Sequence, residues 1–168
     1  MKRKQKLKSI PVGEGEWYFV KNNNQVSAVG LSKKQFVRYA DNGKKGVLIG
    51  NVSKILRRTS TADQELFFLS QQQRIFVVNG TGGLVAQFET RVTNINDVYL
   101  SKNRSGKTLV GILDGIANNS YIYTLNGNEL SKQQFEGSSK LVLHKRGDNS
   151  LVLVSESNNY LVRYPLNY

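Results

Sequence analysis

His144 is the only histidine of the chain and the first candidate for general acid–base chemistry. It lies in Leu143-His144-Lys145-Arg146, at the end of a predicted strand, and no serine–carboxylate pair accompanies it as a histidine-based triad would require. We interpret it as a solvent-exposed strand-end residue. One histidine without any cysteine also falls short of the three or four ligands that a zinc site needs.

The twelve carboxylates are scattered and form no Asp-x-Asp calcium loop. Asp41-Asn42-Gly43 and Asp148-Asn149 are typical of tight turns, where short polar side chains cap backbone amides. A carboxylate pair assembled in space for glycoside hydrolysis is the alternative, but nothing in the sequence points to it.

Two glycine-containing segments could be taken for phosphate-binding loops. Ser105-Gly106-Lys107-Thr108 resembles the end of a P-loop, but Ser101 stands where the motif requires its first glycine. Such loops are followed by a helix, but a strand is predicted after this segment. No helix is predicted after Gly80-Thr81-Gly82-Gly83. We interpret both as hairpin turns, so the sequence predicts no enzyme, no cofactor and no metal site.

Basic residues carry the one functional signal. The net charge is +12, and five of the 24 basic residues lie in the first eight positions, which leaves 19 basic against 12 acidic residues elsewhere. Such an excess favours polyanionic partners. The candidate polyanion-binding residues are Lys2, Arg3, Lys4, Lys6, Lys8, Lys33, Lys34, Lys54, Arg57, Arg58, Arg104, Lys107, Lys145 and Arg146. The alternative is that they keep a β-rich surface soluble and discourage edge pairing.

Short β-prone runs bounded by turn residues recur along the whole chain. Their apolar and β-branched residues and the Asn-Gly, Gly-Gly and Asp-Gly pairs between them predict an all-β fold. The clearest runs are Trp17 to Val20, Leu66 to Leu69, Ile75 to Val78, Leu109 to Leu113, Tyr121 to Tyr123, Leu141 to Leu143 and Leu151 to Val154.

The runs repeat in four units of about 40 residues, a period typical of propeller blades. Similar segments centre on Phe36, Ile75, Ile122 and Leu161, with spacings of 39, 47 and 39 residues. Two β-prone runs precede each centre. Asn-Gly follows the first three centres, at Asn42-Gly43, Asn79-Gly80 and Asn126-Gly127, and each of these pairs precedes a further strand.

The hairpin Ile122-Tyr123-Thr124-Leu125-Asn126-Gly127-Asn128-Glu129-Leu130 resembles the hairpins that end blades of quinoprotein-like and YVTN-like β-propellers. The resemblance extends as a loose pattern over residues 15–168 and implies a repeat of antiparallel blades. There is no Gly-His…Trp-Asp signature and no blade-end tryptophan set. The cofactor chemistry of those families is therefore not implied.

The predicted architecture is a small four-unit, propeller-like meander, with a β-sandwich or barrel as the alternative. Residues 14–168 form a single all-β repeat domain. Residues 1–13 form either a basic tail or a strand that closes the ring against the last unit, where Pro11 would suit an edge. The last unit reaches Tyr168 after three strands, so this closing strand would be its fourth.

The predicted function is a non-catalytic binding or scaffold module whose partner is another protein or a larger assembly, such as a virion or ribonucleoprotein particle. Nucleic-acid or polyanion binding is one alternative, and carbohydrate or small-ligand binding is another. No run is long enough to span a membrane, and Met1 to Lys8 leads into no apolar segment of a signal peptide. An intracellular or virion-associated location is therefore expected.

Overall fold

The computed structural model describes residues 12–22, 25–60, 64–102, 106–130, 135–136, 141–145, 151–157 and 160–166. These residues form strands and turns, and none of them lies in a helix. The all-β prediction is therefore confirmed. The strands form four antiparallel sheets, none of which closes into a barrel.

Each sheet is a meander in which consecutive strands of the chain pair antiparallel. Sheet 1 contains β1 (Glu16–Asn22), β2 (Gln25–Ser32), β3 (Gln35–Tyr39) and β4 (Lys45–Ile49). Sheet 2 contains β5 (Lys54–Ser60), β6 (Glu65–Gln71), β7 (Arg74–Asn79) and β8 (Leu84–Glu89). Sheet 3 contains β9 (Ile95–Lys102), β10 (Thr108–Asp114), β11 (Asn119–Thr124) and β12 (Phe135–Glu136). Sheet 4 contains β13 (Leu141–Lys145), β14 (Leu151–Ser157) and β15 (Tyr160–Leu166).

The predicted repeat units coincide with the sheets. The four predicted centres lie on β3, β7, β11 and β15, each the third strand of its sheet. Asn-Gly turns follow three of them as expected, and Gly43 and Gly127 adopt left-handed φ values of 80° and 86°. In the turn after β7, at the predicted Asn79-Gly80 pair, the left-handed residue is Gly82, at 95°. The predicted closing strand lies almost entirely outside the described residues, and the described residues 12–15 are not in a strand.

Each sheet has two ends. We call the end that carries the β2–β3, β6–β7 and β10–β11 turns, and the links from one sheet to the next, the connection end; the opposite end is the hairpin end. Backbone hydrogen bonds hold the links against the turns, from Val52 N to Lys34 O (2.8 Å) and from Thr90 N to Gln73 O (2.8 Å).

Three apolar clusters pack the sheets face to face in chain order. Phe36 and Phe67 lie in the cluster between sheets 1 and 2, whereas Phe68 and Ile112 lie in the one between sheets 2 and 3. Phe135 of sheet 3 packs beside Tyr164 of sheet 4 in the third. Because β6 is covered on both faces, its residues from 66 to 70 are all buried, which explains a continuous apolar run without alternation.

Candidate binding surfaces

The predicted polyanion-binding residues divide into those the structure describes and those outside it. Lys2, Arg3, Lys4, Lys6, Lys8, Arg104 and Arg146 lie outside the described residues. Lys145 is the last residue of β13, at the hairpin end of sheet 4. The remaining six belong to three different environments.

Lys33, Lys34 and Lys54 lie at the connection end. Lys33 and Lys34 form the tight β2–β3 turn with φ values of 50° and 59°, as a two-residue hairpin of this hand requires. Gln72 occupies the equivalent place in the β6–β7 turn with a φ of 53°. Lys54 begins β5, and its Nζ donates to the carbonyl of Asn96 at 2.7 Å.

Lys107 lies at the opposite, hairpin end of sheet 3, next to Thr108 at the start of β10. Since β10 is a strand, this segment lacks the helix that a phosphate-binding P-loop requires. The predicted basic residues that the structure describes are thus not gathered in one patch.

Arg57 connects sheet 2 with sheet 3. Its guanidinium donates to both carboxylate oxygens of Asp97 on β9, at 2.7 and 3.3 Å, and lies 4.4 Å from the ring centre of Tyr99. This two-pronged ion pair with a stacked aromatic ring is among the stronger polar contacts available to arginine. Its donors are therefore directed at the protein itself.

Two further arginines make comparable contacts. Arg58 pairs with Glu65 at 2.6 Å and lies over Tyr18 of sheet 1, 5.2 Å from the ring centre. Arg91 pairs with Glu129 at 2.7 Å and lies over Tyr121, 4.7 Å from the ring centre. An arginine between a carboxylate and a tyrosine thus recurs where sheets adjoin.

Burial of the tyrosines at these junctions raises their pKa values. The pKa of Tyr18 rises to about 12, first because burial penalises the phenolate and then because its hydroxyl donates to Glu16, whose negative charge adds to the effect. Burial is also the main cause of the raised pKa of Tyr99 and of Tyr123. All three remain neutral hydrogen-bonding groups at ordinary pH.

A polar cleft of about 740 Å³ lies at the connection end between sheets 1 and 2. Its lining consists of amide, hydroxyl and charged side chains: Lys34, Asn51, Ser53, Gln71, Gln72, Gln73, Arg74 and Glu89. Arg74 pairs with Glu89 at 2.5 Å, and Gln71 donates to Gly50 O at 3.2 Å. The cleft offers many hydrogen-bonding groups.

The outer face of sheet 1 is the face turned away from sheet 2. Because Tyr18 and Val20 pack towards sheet 2, the alternate residues of β1 and their cross-strand neighbours lie on the outer face. These are Trp17, Phe19, Lys21, Val26, Ala28, Val37, Tyr39, Lys45 and Val47.

Trp17 covers only part of this face. Its indole lies over Gly30, where a Cβ would come within 2.6 Å of the ring, and its Nε1 donates to Gly13 O at 2.7 Å. Its ring meets that of Tyr39 edge-on at 5.5 Å. Phe19 remains 71% exposed and Val26, nearer the hairpin end, 44% exposed. Val47, in the row of Trp17, is 52% exposed, whereas Ala28 and Val37 on the two strands between are buried.

A smaller pocket of about 180 Å³, the basic pocket, lies at the hairpin end between sheets 1 and 2. It is lined by Arg38, Ala40, Lys44, Lys45, Gly46, Leu48 and Thr81. None of these lining residues, all within the described part of the chain, is acidic.

The described residues contain no group of three or more histidine, cysteine or carboxylate side chains that could hold a metal ion. Nor do they contain a helix that could cross a membrane. His144 lies on β13, paired across the sheet with Val152.

Sequence reasoning missed the outer face of sheet 1 and the basic pocket. The run Trp17 to Val20 is apolar at every position, which predicts a strand covered on both faces. The exposed side chain of Phe19 does not fit that prediction. Arg38 lies between Val37 and Tyr39 in a predicted strand. Nothing in the neighbouring sequence distinguishes it from an ordinary surface arginine. No protein-family model matches the chain, and no curated protein matches it.

Proposed function

We propose that this chain is a non-catalytic binding or scaffold module built from four propeller-like units. Three features support the blade interpretation: each sheet is a meander in chain order, successive sheets stack face to face, and an Asn-Gly hairpin recurs after the third strand. A sheet that closes on itself, as a barrel requires, is not among the described sheets.

The outer face of sheet 1 is the surface we assign to the partner. The observation that carries this proposal is Phe19, whose side chain is 71% exposed on a face that also presents Val26 and Val47. Burying a phenylalanine side chain contributes roughly 1.5–3 kcal/mol, and large aromatic side chains dominate the energetics of protein interfaces. A largely exposed phenylalanine beside further apolar and charged side chains is typical of a protein-binding surface.

Charge indicates the chemistry of the partner. Lys21 and Lys45 lie on this face beside Val26 and Tyr39, and the whole chain carries a net charge of +12. A second copy would bring the same positive charge to the patch. A protein surface with an apolar centre and an acidic rim would complement it and be attracted over a distance.

The test compares Phe19→Ser with Ile116→Ser in tagged protein recovered from cells that make it. Ile116 is 83% exposed on the β10–β11 turn and is the matched control. We expect at least one acidic protein to co-purify with the parent and with Ile116→Ser, and to be absent with Phe19→Ser. Salt should release this protein from the parent. Equal recovery with both variants would contradict the proposal.

Polyanion binding at the connection end is the second candidate function. Lys34 lines the polar cleft, and Lys33 adjoins it in the same turn. If this end binds polyanions, a Lys33→Gln/Lys34→Gln variant elutes from heparin at lower salt than the parent, because fewer counterions are released on binding. Arg57→Gln should elute with the parent, since Arg57 is paired with Asp97. The opposite ranking would place the polyanion site elsewhere.

A further inference from the structure

Arg38, which lines the basic pocket, has a buried donor without a partner. The Nε of Arg38 is buried and has no hydrogen-bond partner among the described residues. Arg57, Arg58, Arg74 and Arg91, by contrast, each pair with a carboxylate. Buried polar groups that lack a partner are uncommon in folded proteins and call for a specific explanation.

The remaining groups of the pocket are cationic or neutral. Lys44 and Lys45 line it together with Arg38, and its lining includes no carboxylate within the described part of the chain. A guanidinium presents a planar fork of donors that matches the oxygens of a phosphate or carboxylate, and an adjacent ammonium adds a mobile point charge. The pocket therefore concentrates donors and positive charge without an internal counter-ion.

Both walls of the pocket are fixed by local hydrogen bonds. In the β3–β4 turn the side-chain oxygen of Asn42 accepts from Lys44 N at 3.0 Å, and Gly43 N donates to Ala40 O at 2.8 Å. In the β7–β8 turn Asn79 Oδ1 accepts from the Thr81 hydroxyl and from Gly83 N, both at 2.7 Å. The Thr81 hydroxyl therefore donates within its own turn, which leaves Arg38, Lys44 and Lys45 as the charged donors of the pocket.

We propose that the basic pocket binds a tetrahedral oxyanion, a phosphate or sulfate group, through the guanidinium of Arg38 and the ammonium of Lys44. Its volume of about 180 Å³ is below the roughly 300 Å³ at which sites for whole small molecules begin. The pocket therefore suits a single anionic group, either a free ion or the end of a phosphate or sulfate ester. Lys45 borders both this pocket and the partner surface proposed above, but Arg38 and Lys44 do not lie on that surface.

Calorimetric titration of the full chain with inorganic phosphate and with sulfate, at constant ionic strength, tests the proposal. Direct binding is measured because both ions stabilise folded proteins non-specifically. We expect saturable binding that Arg38→Gln and Lys44→Gln each weaken by about tenfold or more, whereas Lys102→Gln, at an exposed lysine that ends β9 of sheet 3, leaves it unchanged. Phosphate and sulfate monoesters of a sugar then show whether the site takes an esterified group or only the free ion.

Lys44 is exposed in a turn, so Lys44→Gln decides the question if Arg38→Gln fails to fold. Absence of binding to the parent chain, or equal binding by the parent and the Lys44→Gln variant, would overturn the proposal. Phe19→Ser is expected to bind phosphate like the parent, so failure of the partner proposal and failure of this one are distinguished.

Discussion

At the scale of single residues, arginine has two distinct uses in this protein. Arg57 and Arg58 combine ion pairs with ring contacts between sheets, although the sequence shows only a basic pair in a β-prone run. Arg57 and its partner Asp97 are 40 residues apart along the chain, and Arg58 and its partner Glu65 are 7 residues apart. Pairing over 40 residues depends on how the sheets stack, so sequence patterns could not reveal this use of Arg57.

Replacing Arg57 by glutamine should reduce the free energy of unfolding by about 1–2 kcal/mol, because it removes a two-pronged ion pair and a ring contact. Arg74→Gln is the control, since the Arg74–Glu89 pair is more exposed, and we expect a loss below about 0.5 kcal/mol. Urea denaturation of both variants measures the difference. Equal losses would show that Arg57 does not stabilise the junction of sheets 2 and 3.

Tyr18 makes stability depend on pH in the alkaline range. In the folded chain its pKa is about 12, whereas the ordinary value is 10.0. Between these values the unfolded chain has lost the phenolic proton and the folded chain retains it, so the free energy of unfolding falls as the pH rises from about 10 to about 12. Below pH 10 the Tyr18 hydroxyl is protonated in both the folded and the unfolded chain, so its contribution to the free energy of unfolding is fully present and no longer changes with pH.

Tyr18→Phe should therefore show a smaller fall in stability over this window, and Glu16→Gln an intermediate one, because Glu16 is the second cause of the shift. Denaturation midpoints measured across the window, with the phenolate absorbance of the parent, provide the check. A Tyr18→Phe variant with the pH dependence of the parent would contradict the assignment.

At the scale of elements, local sequence predicted the strands well because short apolar, β-branched runs and Asn-Gly turns act over a few residues. The four units, their third strands and the turns at Asn42-Gly43 and Asn126-Gly127 are where the pattern placed them. A turn also follows β7 at Asn79-Gly80 as predicted; there Asn79 Oδ1 accepts from three groups and the left-handed residue is Gly82.

Alanine substitutions at Gly43 and Gly127 separate the stability cost of backbone strain from that of overpacking. Both have left-handed φ values near 80°, but a Cβ at Gly43 would meet nothing, whereas one at Gly127 would overlap the Cβ of Phe88. Gly43→Ala should cost about 1 kcal/mol from the backbone alone. Gly127→Ala should cost about 1–3 kcal/mol more, from overpacking. Urea midpoints that rank the two variants equally would show that the hairpin of sheet 3 does not pack tightly on sheet 2.

At the scale of the whole molecule, the sheets stack in chain order and the basic residues point in several directions. Sheet 2 is covered on both faces, whereas the outer face of sheet 1 leaves Phe19 exposed beside lysines although Ala28 and Val37 on the same face are buried. Composition predicted a basic, binding-type protein, but it could not indicate which apolar residue stays exposed. That depends on how many sheets the stack contains and where each lies, which no single strand encodes.

The most direct test of the binding role is a photo-cross-linking amino acid placed at position 19, with position 116 as the control, followed by mass spectrometry of the adducts formed in cells. The account predicts an adduct from position 19, absent from position 116, with an acid-rich segment of another protein. An adduct with sheet 4 of the same chain would instead make this face the seam of a closed ring. A cross-link to a second copy, or identical adducts from both positions, would likewise contradict the proposed partner surface.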